Sequence, residues 1–219
     1  TRNHSSAASD VYKRQNTMRT FFFDSIYNTQ EFALEELNSE PILVISFHQE
    51  KGKGTSNRSW FNADQSLACS FAFNKGDNQL DETLIPLLSG LCFTEVLSKP
   101  PIFLKWPNDL IVNDLKVGGV LVESVGEKIC IGIGINYFWK NPTVPNAGAL
   151  FNEVQEDDSI KDHAIKWAEK VYESVTKNSF SLERYKAKLQ TLGKVVEYPE
   201  GRGWACLLYT SPSPRDIGE

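Results

Sequence analysis

No stretch of the chain approaches the ~20 consecutive apolar residues that a helix needs to cross a bilayer, so no membrane-spanning helix is expected. Nor is there a basic block. The chain has 23 Lys and Arg against 28 Asp and Glu, a formal net charge of −5, which argues against nucleic acid as a partner. Histidine is scarce, with three residues in all. His48 and His163 lie on unrelated segments, so no Ser/His/Asp or Cys/His set can be drawn. The four cysteines lack metal-ligand spacing. Cys69, Cys92 and Cys130 sit inside apolar runs, which predicts buried free thiols and a reducing, cytoplasmic compartment. A P-loop is missing too, because Gly52 and Gly54 stand two apart where that motif needs five, with Lys-Ser/Thr following. Internal repeats and low-complexity stretches are absent.

What is present is an interleaving of strand-like and helix-like segments. Arg19–Asp24 reads as a first strand and Gln30–Leu37 as a short helix by its apolar spacing. Pro41–Phe47 is a continuous apolar run of strand length, as for a strand central in a sheet. Leu67–Phe73 follows as a strand and Leu80–Leu97 as a long buried helix. Pro86 is tolerated only near a helix start, which sets the helix proper near Thr83. Ile129–Ile135 reads as a strand. Residues 138–157 have no periodicity and form a loop and candidate lid. Ser159–Thr176 is amphipathic, with Ile160, Ala164, Trp167, Ala168, Val171 and Val175 on one stripe and Ser159 as N-cap. Ser181–Leu192 reads as a second short helix. Hairpins join several strands, so the expected fold is α+β, with a mixed, largely antiparallel β-sheet packed with helices.

The chain is organised around Phe103–Leu110, continuing through Lys116–Glu123. Phe103 and Leu104 end a strand, and Pro107 cannot donate a ladder hydrogen bond, so the chain turns or bulges there. Leu110–Val112 and Val117–Val122 are two further strands, with Asn113-Asp114 suited to a tight hairpin between them. This leaves Lys105, Asn108 and Asp109 at a strand end and Lys116 just past the hairpin. Two ammonium groups, an amide and a carboxylate at one mouth suit an anionic substrate with a phosphate and a metal ion.

Lys105-Trp-Pro-Asn-Asp109 with Lys116 seven residues after the aspartate closely resembles the signature of biotin protein ligases. Gln49–Trp60, with Gly52, Lys53, Gly54 and Arg58, resembles that family's glycine- and base-rich biotin loop. Gly132-Ile-Gly134-Ile-Asn136 resembles its Gly-x-Gly-x-Asn strand end, and Asp24-Ser25 its Asp-Ser-Thr-Asn opening. Four pieces in order, over roughly residues 19 to 195, make the resemblance specific. One departure stands out: many members have a second arginine where this chain has Thr55.

The resemblance implies a catalytic domain like that of class II aminoacyl-tRNA synthetases, followed by an SH3-like barrel. Gly193–Tyr198 looks like the first strand of that barrel, which is truncated here. The implied activity is ATP-dependent formation of biotinyl-5′-AMP with Mg²⁺, then transfer to a lysine of a biotin carboxyl carrier protein. Catalytic roles fall to Lys116, Arg58 and Lys105. Lys116 would meet the biotin carboxylate and α-phosphate, Arg58 the phosphate, and Lys105 would support charge nearby. Ser25 and Gln49 would bind the ureido ring. Gly52, Lys53 and Gly54 belong to the biotin loop, and Gly118, Gly119, Gly132 and Gly134 would line the biotin slot. Trp60 would cover the adenine, Asn108, Asp109 and Asn136 would bind nucleotide, and Asp109 would hold Mg²⁺. Trp106 is assigned to the core.

The residues alone also allow plainer readings. Lys116 could be a solvated hairpin lysine, Asn108-Asp109 an Asx turn, Trp60 a core tryptophan and residues 50–58 an ordinary solvated loop. A lipoate-type ligase or acyltransferase and a non-catalytic biotin-binding module are the rival functions. A homodimer is left open.

Both ends look foreign to this domain. Ser5–Gln15 back-translates to a transposase adapter used in sequencing libraries, and Cys206–Asp216 to its partner in the opposite orientation. The expected organisation is therefore a non-native tail over 1–15, a catalytic domain over 16–192, the start of the barrel over 193–205, and a second non-native tail over 206–219.

Overall fold

The computed structural model describes residues 18–55, 58–97, 99–193, 195–198 and 201–204. Both proposed adapter tails and Cys206 lie outside these residues. The chain runs β1 (Arg19–Phe23), α1 (Thr29–Glu36), β2 (Ile42–Ser46), β3 (Gln65–Asn74), α2 (Ile85–Val96), β4 (Phe103–Lys105), β5 (Asp109–Val112), β6 (Leu115–Val125) and β7 (Lys128–Phe138). It continues through α3 (Asp157–Thr176), α4 (Leu182–Lys188), β8 (Val195–Tyr198) and β9 (Gly201–Trp204).

Seven strands form one sheet in the order β1-β2-β3-β7-β6-β5-β4. The β1–β2 pair is parallel, joined through α1, and the other neighbours are antiparallel. A mixed, largely antiparallel sheet is thus observed. Its two sides can be read from the period-2 alternation of β7. Ile129, Ile131, Ile133 and Ile135 face the main core with α2 and α3. Their neighbours Cys130, Gly132, Gly134 and Asn136 face the other way, and the last three line a cavity. β3 alternates likewise, sending Leu67, Cys69, Phe71 and Phe73 into the main core and Ser70 toward α1. Each fully buried isoleucine or phenylalanine stabilises the fold by roughly 1.5–3 kcal/mol, so the helix-facing side carries the stability. On the opposite side α1 closes a smaller core of Ala33, Leu37, Ile42, Val44, Ala72 and Cys130, and the rest of that face holds small and polar residues along the cavity.

The helices follow their stripes. In α3, Ile160, Ala164, Trp167, Ala168, Val171 and Val175 are buried, and the Trp167 indole N–H donates to the Ser89 carbonyl of α2 at 3.0 Å. α3 starts two residues earlier than expected. Glu156 is its N-cap residue, without a side-chain cap bond, and Asp157 and Asp158 in the first turn suit the positive helix end. A short 3₁₀ turn at Glu82–Leu84 precedes α2, whose first turn holds Pro86. Asn113 and Asp114 both have positive φ, 50° and 63°, as a tight hairpin turn demands. Cys69, Cys92 and Cys130 are free and buried. Burial pushes the Cys92 thiol up to about 12.

Two expectations fail. Trp106 is 55% exposed. It sits in the turn joining the edge strand β4 to β5, past the end of the sheet, where no layer covers it. Gly118 lies on the core face of β6, where an added Cβ would fall 2.6 Å from Ile135 Cδ1. A shift of one residue along a strand exchanges faces, so Gly119 and not Gly118 borders the cavity. After α4, residues 189–190 run beside β4, with the Gln190 N–H donating to the Leu104 carbonyl at 2.8 Å. β8 and β9 then form a separate antiparallel pair. Gly201–Trp204 was not read as a strand from the sequence.

Candidate active site

The cavity on the open face of the sheet has a volume of about 640 Å³. Its inner end is built by the start of α1. Asn28 caps that helix, accepting from the Gln30 and Glu31 N–H groups at 2.9 and 3.0 Å. Its own amide donates to the Lys51 carbonyl at 2.8 Å, so one buried side chain fastens both the helix and the loop that follows β2. Thr29 donates twice to Gln49 Oε1, from its N–H at 2.8 Å and its hydroxyl at 2.9 Å. The Ser70 hydroxyl donates to Thr29 Oγ1 at 2.7 Å. With its oxygen doubly engaged, Gln49 keeps its NH₂ group for a ligand acceptor.

The loop over residues 50–60 closes one side. Lys53 makes an ion pair with Glu31 at 2.7 Å, which holds its ammonium above its ordinary pKa. The Arg58 guanidinium donates to the Thr55 carbonyl and hydroxyl at 3.3 and 3.1 Å. Ser56 and Asn57 lie outside the described residues. The Trp60 N–H donates to the Gly52 carbonyl at 2.9 Å. Its ring lies on Gly134, where a Cβ would come within 2.9 Å of it, and reaches Gly119. Gly134 is therefore required by the close approach of an indole, whereas a Cβ at Gly119 would make only an ordinary 3.6 Å contact with it.

The mouth carries the charge. Lys116 Nζ and Asp109 Oδ1 are 2.6 Å apart and only partly covered, and the Lys116 ammonium stands 5.9 Å from the Trp60 ring centroid. The backbone of Lys116 is fixed on both sides by the 138–157 loop, its N–H donating to Asn146 at 2.8 Å and its carbonyl accepting from Gly148 at 2.9 Å. Asn108 clamps its turn to β6, its amide donating to the Val120 carbonyl at 2.8 Å. Asn136 donates to the Gly148 carbonyl at 2.9 Å. Its Oδ1 is buried without a hydrogen-bond partner among the described residues, an acceptor on the cavity wall.

Of the residues singled out from the sequence, the cavity brings together Gln49, Lys53, Gly54, Arg58, Trp60, Asn108, Asp109, Lys116, Gly119, Gly132, Gly134 and Asn136. Four stand outside its lining. Lys105 is exposed on the edge strand and faces a neighbouring cavity that shares Asp109 and Lys116. Gly52 packs under Trp60, with a would-be Cβ 3.0 Å from the Trp60 Cβ. Gly118 is on the core face. Ser25 lies in the bend after β1, three residues before Asn28, and the residue bonded to Gln49 on the lining is Thr29. Thr29, Gln30, Trp139 and Val144 also line the cavity and were not singled out. A signal for the first two existed: Asn28 with Glu31 three residues on is a capping-box-like helix start. Asp109 is the one carboxylate on the lining, and no group of three or more His, Cys, Asp or Glu could hold a metal among the described residues.

With this geometry in view, the comparison with known proteins is direct. A family model described as the biotin/lipoate A/B protein ligase family matches residues 13–136. The chain belongs to that family. The bifunctional ligase/repressor BirA of Escherichia coli is 32% identical over 123 residues, covering 51% of this chain and 38% of the relative. The chain thus spans well under half the length of this curated family member. Among solved structures, the biotin protein ligase from Aquifex aeolicus in complex with biotin and ATP superposes with a TM-score of 0.71 at 27% identity, covering 84% of each chain. The biotin acetyl coenzyme A carboxylase synthetase from Helicobacter pylori with bound biotinylated ATP gives 0.64 at 29%, covering 84% of this chain and 88% of that one. The fold shared with them is therefore a mixed sheet with α2 and α3 on one face and α1 beside the cavity on the other. No helix among the described residues is long and apolar enough to cross a membrane.

Proposed function

We propose that the protein is a biotin protein ligase. It activates biotin with ATP and transfers it to a lysine of a biotin carboxyl carrier protein. The observation that carries this reading is the polarity of the cavity. Neutral, pre-paired amide and hydroxyl groups (Gln49 and Thr29, the latter backed by buried Ser70) stand at one end and a cation–carboxylate pair (Lys116, Asp109) at the other. A neutral cyclic urea fits the first and a carboxylate beside a phosphate fits the second. Relatives described with biotin and ATP share the fold.

In the first step a biotin carboxylate oxygen attacks the α-phosphorus of ATP and displaces pyrophosphate. Two anions must meet, so the barrier is mainly electrostatic, and fixed cations lower it. Lys116 is the ammonium placed for this, and Arg58 supplies a fork of donors from the loop. Mg²⁺ usually binds through one or two carboxylates together with substrate phosphates. Asp109 fits that sparse demand, so the ion would arrive with ATP as part of the substrate. Asn136 Oδ1 would accept from the nucleotide. In the second step the neutral lysine amine of the carrier attacks the carbonyl carbon of the anhydride, AMP leaves and an amide forms. The three buried free thiols fit a reducing, cytoplasmic setting, and residues 193–205, with β8 and β9, would begin the C-terminal barrel.

The test is ATP–pyrophosphate exchange with biotin and with lipoate. Exchange dependent on biotin is expected, and exchange with lipoate alone would replace this reading by the lipoate-type one.

A further inference from the structure

Gln30, in the first turn of α1, is a buried polar side chain with 7% exposure. It lies across the cavity face of the sheet, and its amide donates to the Leu121 carbonyl of β6 at 3.3 Å. Gly132 is the ladder partner of Leu121. A Cβ on Gly132 would fall 2.5 Å from Gln30 Oε1 and 2.7 Å from its Cδ, nearer than such atoms come in real proteins. Cys130 lies on the same face of β7, two residues before Gly132. Gly132 is small because Gln30 occupies the space above it. Gln30 itself faces the cavity, beside the Thr29–Gln49 pair.

Its position along the sheet gives it a role. Lys116 Cε lies against Gly119, and Leu121 is two residues further along β6. At about 3.4 Å per residue, Gln30 stands roughly 7 Å from that point, on the side away from the charges. A ligand whose carboxylate meets Lys116 through a pentanoate chain puts its ring there. We propose that Gln30 is a specificity-determining residue. Its carboxamide forms the end wall of the ring subsite and sets the size of headgroup the cavity accepts. The proposal rests on the biotin reading. A methyl group on Gly132 would accordingly lift the end of Gln30 into the space of the ring.

The experiment uses the whole chain, ATP–pyrophosphate exchange, and two probes, biotin and a biotin analogue methylated on a ureido nitrogen. A wild-type protein without biotin-dependent exchange overturns the functional reading and the ring-end assignment together. Given exchange, Gln30→Ala raises kcat/KM for the methylated analogue relative to biotin by about tenfold, the low end of what one carbon is worth in a pocket. Gly132→Ala raises the KM for biotin by about tenfold with kcat nearly unchanged, and adding Gln30→Ala restores that KM. Unaltered discrimination in Gln30→Ala, or a Gly132→Ala defect that Gln30→Ala does not relieve, overturns the role. Should Gly132→Ala fail to fold, as judged by thermal melting, the Gln30→Ala ratio decides alone.

Discussion

At its inner end the cavity is walled by amides and hydroxyls that are already hydrogen-bonded to one another, while at its mouth it is walled by partly exposed charges paired with each other. The Ser70–Thr29–Gln49 chain is set by the sheet and the start of α1, so its donors and acceptors are fixed before a ligand arrives. Lys116 and Asp109 lie on either side of a hairpin, and their pair is partly exposed. Such a pair is worth little to stability and is easily exchanged for a substrate anion. The inner end is thus built to recognise and the mouth to stabilise charge. Substitutions at the two ends should divide between binding and rate.

The largest effect is expected at the mouth. Lys116→Ala should lower the rate of biotin-dependent pyrophosphate exchange by about a hundred- to a thousandfold, the usual loss of a pre-placed electrostatic group. Its thermal midpoint should stay close to wild type, because the ion pair it breaks is partly exposed. A folded variant with near wild-type exchange would remove Lys116 from the chemistry.

At the inner end the pattern should reverse. Thr29→Val deletes the hydroxyl that links Ser70 to Gln49, leaving buried polar atoms short of a partner at a cost of about 1–3 kcal/mol. The KM for biotin should rise by about tenfold with kcat little changed, and the melting temperature should drop. A fall in kcat at unchanged KM would contradict the division of labour.

How much of this could be read from the sequence depended on whether the signal was local. The alternation of Ile129–Asn136 was legible because isoleucine and small residues take turns, and Asn113-Asp114 because that pair tolerates positive φ. Lys116, Asp109 and Gly134 were found through the spacing of a motif. Gln30 and Thr29 were not, since their importance comes from contacts with β3, β6 and the loop after β2, far away in sequence. Gly118 and Gly119 are adjacent and look equivalent in the chain, yet only strand register decides which faces the cavity. Trp106 was misplaced because an aromatic beside proline looks apolar whether or not a layer covers it.

A smaller effect concerns the loop that bridges the two ends. Thr55 stands where the resemblance leads one to expect a second arginine, and its carbonyl and hydroxyl hold the Arg58 guanidinium. An arginine at this position would release part of that hold and add a cation near the phosphate. Ordering a loop costs about 1–2 kcal/mol per fixed residue, and one charge-assisted contact returns on the order of 1 kcal/mol. Biotinyl-adenylate should leave Thr55→Arg several times more slowly than wild type, as measured by its dissociation rate. An unchanged or faster rate would show that Lys51 or the Thr55 hydroxyl already suffices.

The smallest effect tests whether sensitivity to acid belongs to the helix layer, apart from the cavity. His163 of α3 meets the Tyr137 hydroxyl through Nδ1 at 3.0 Å, and burial holds its pKa below the ordinary value. The folded state therefore binds this proton less readily than the unfolded chain. The stability tied to neutral His163 is fully present above about pH 6.5, the ordinary histidine value, and is lost as pH falls toward the lowered folded value. Asp162 and Lys166 flank it with opposite effects on its charge, and the ring is half-exposed, so the loss should stay under about 1 kcal/mol. His163→Gln keeps a partner for Tyr137 and cannot titrate. The stability difference between wild type and this variant, from denaturant unfolding at pH 7 and pH 5, should shift against wild type at the lower pH. A difference that does not move with pH would mean that His163 has no part in acid sensitivity and that carboxylates alone account for it.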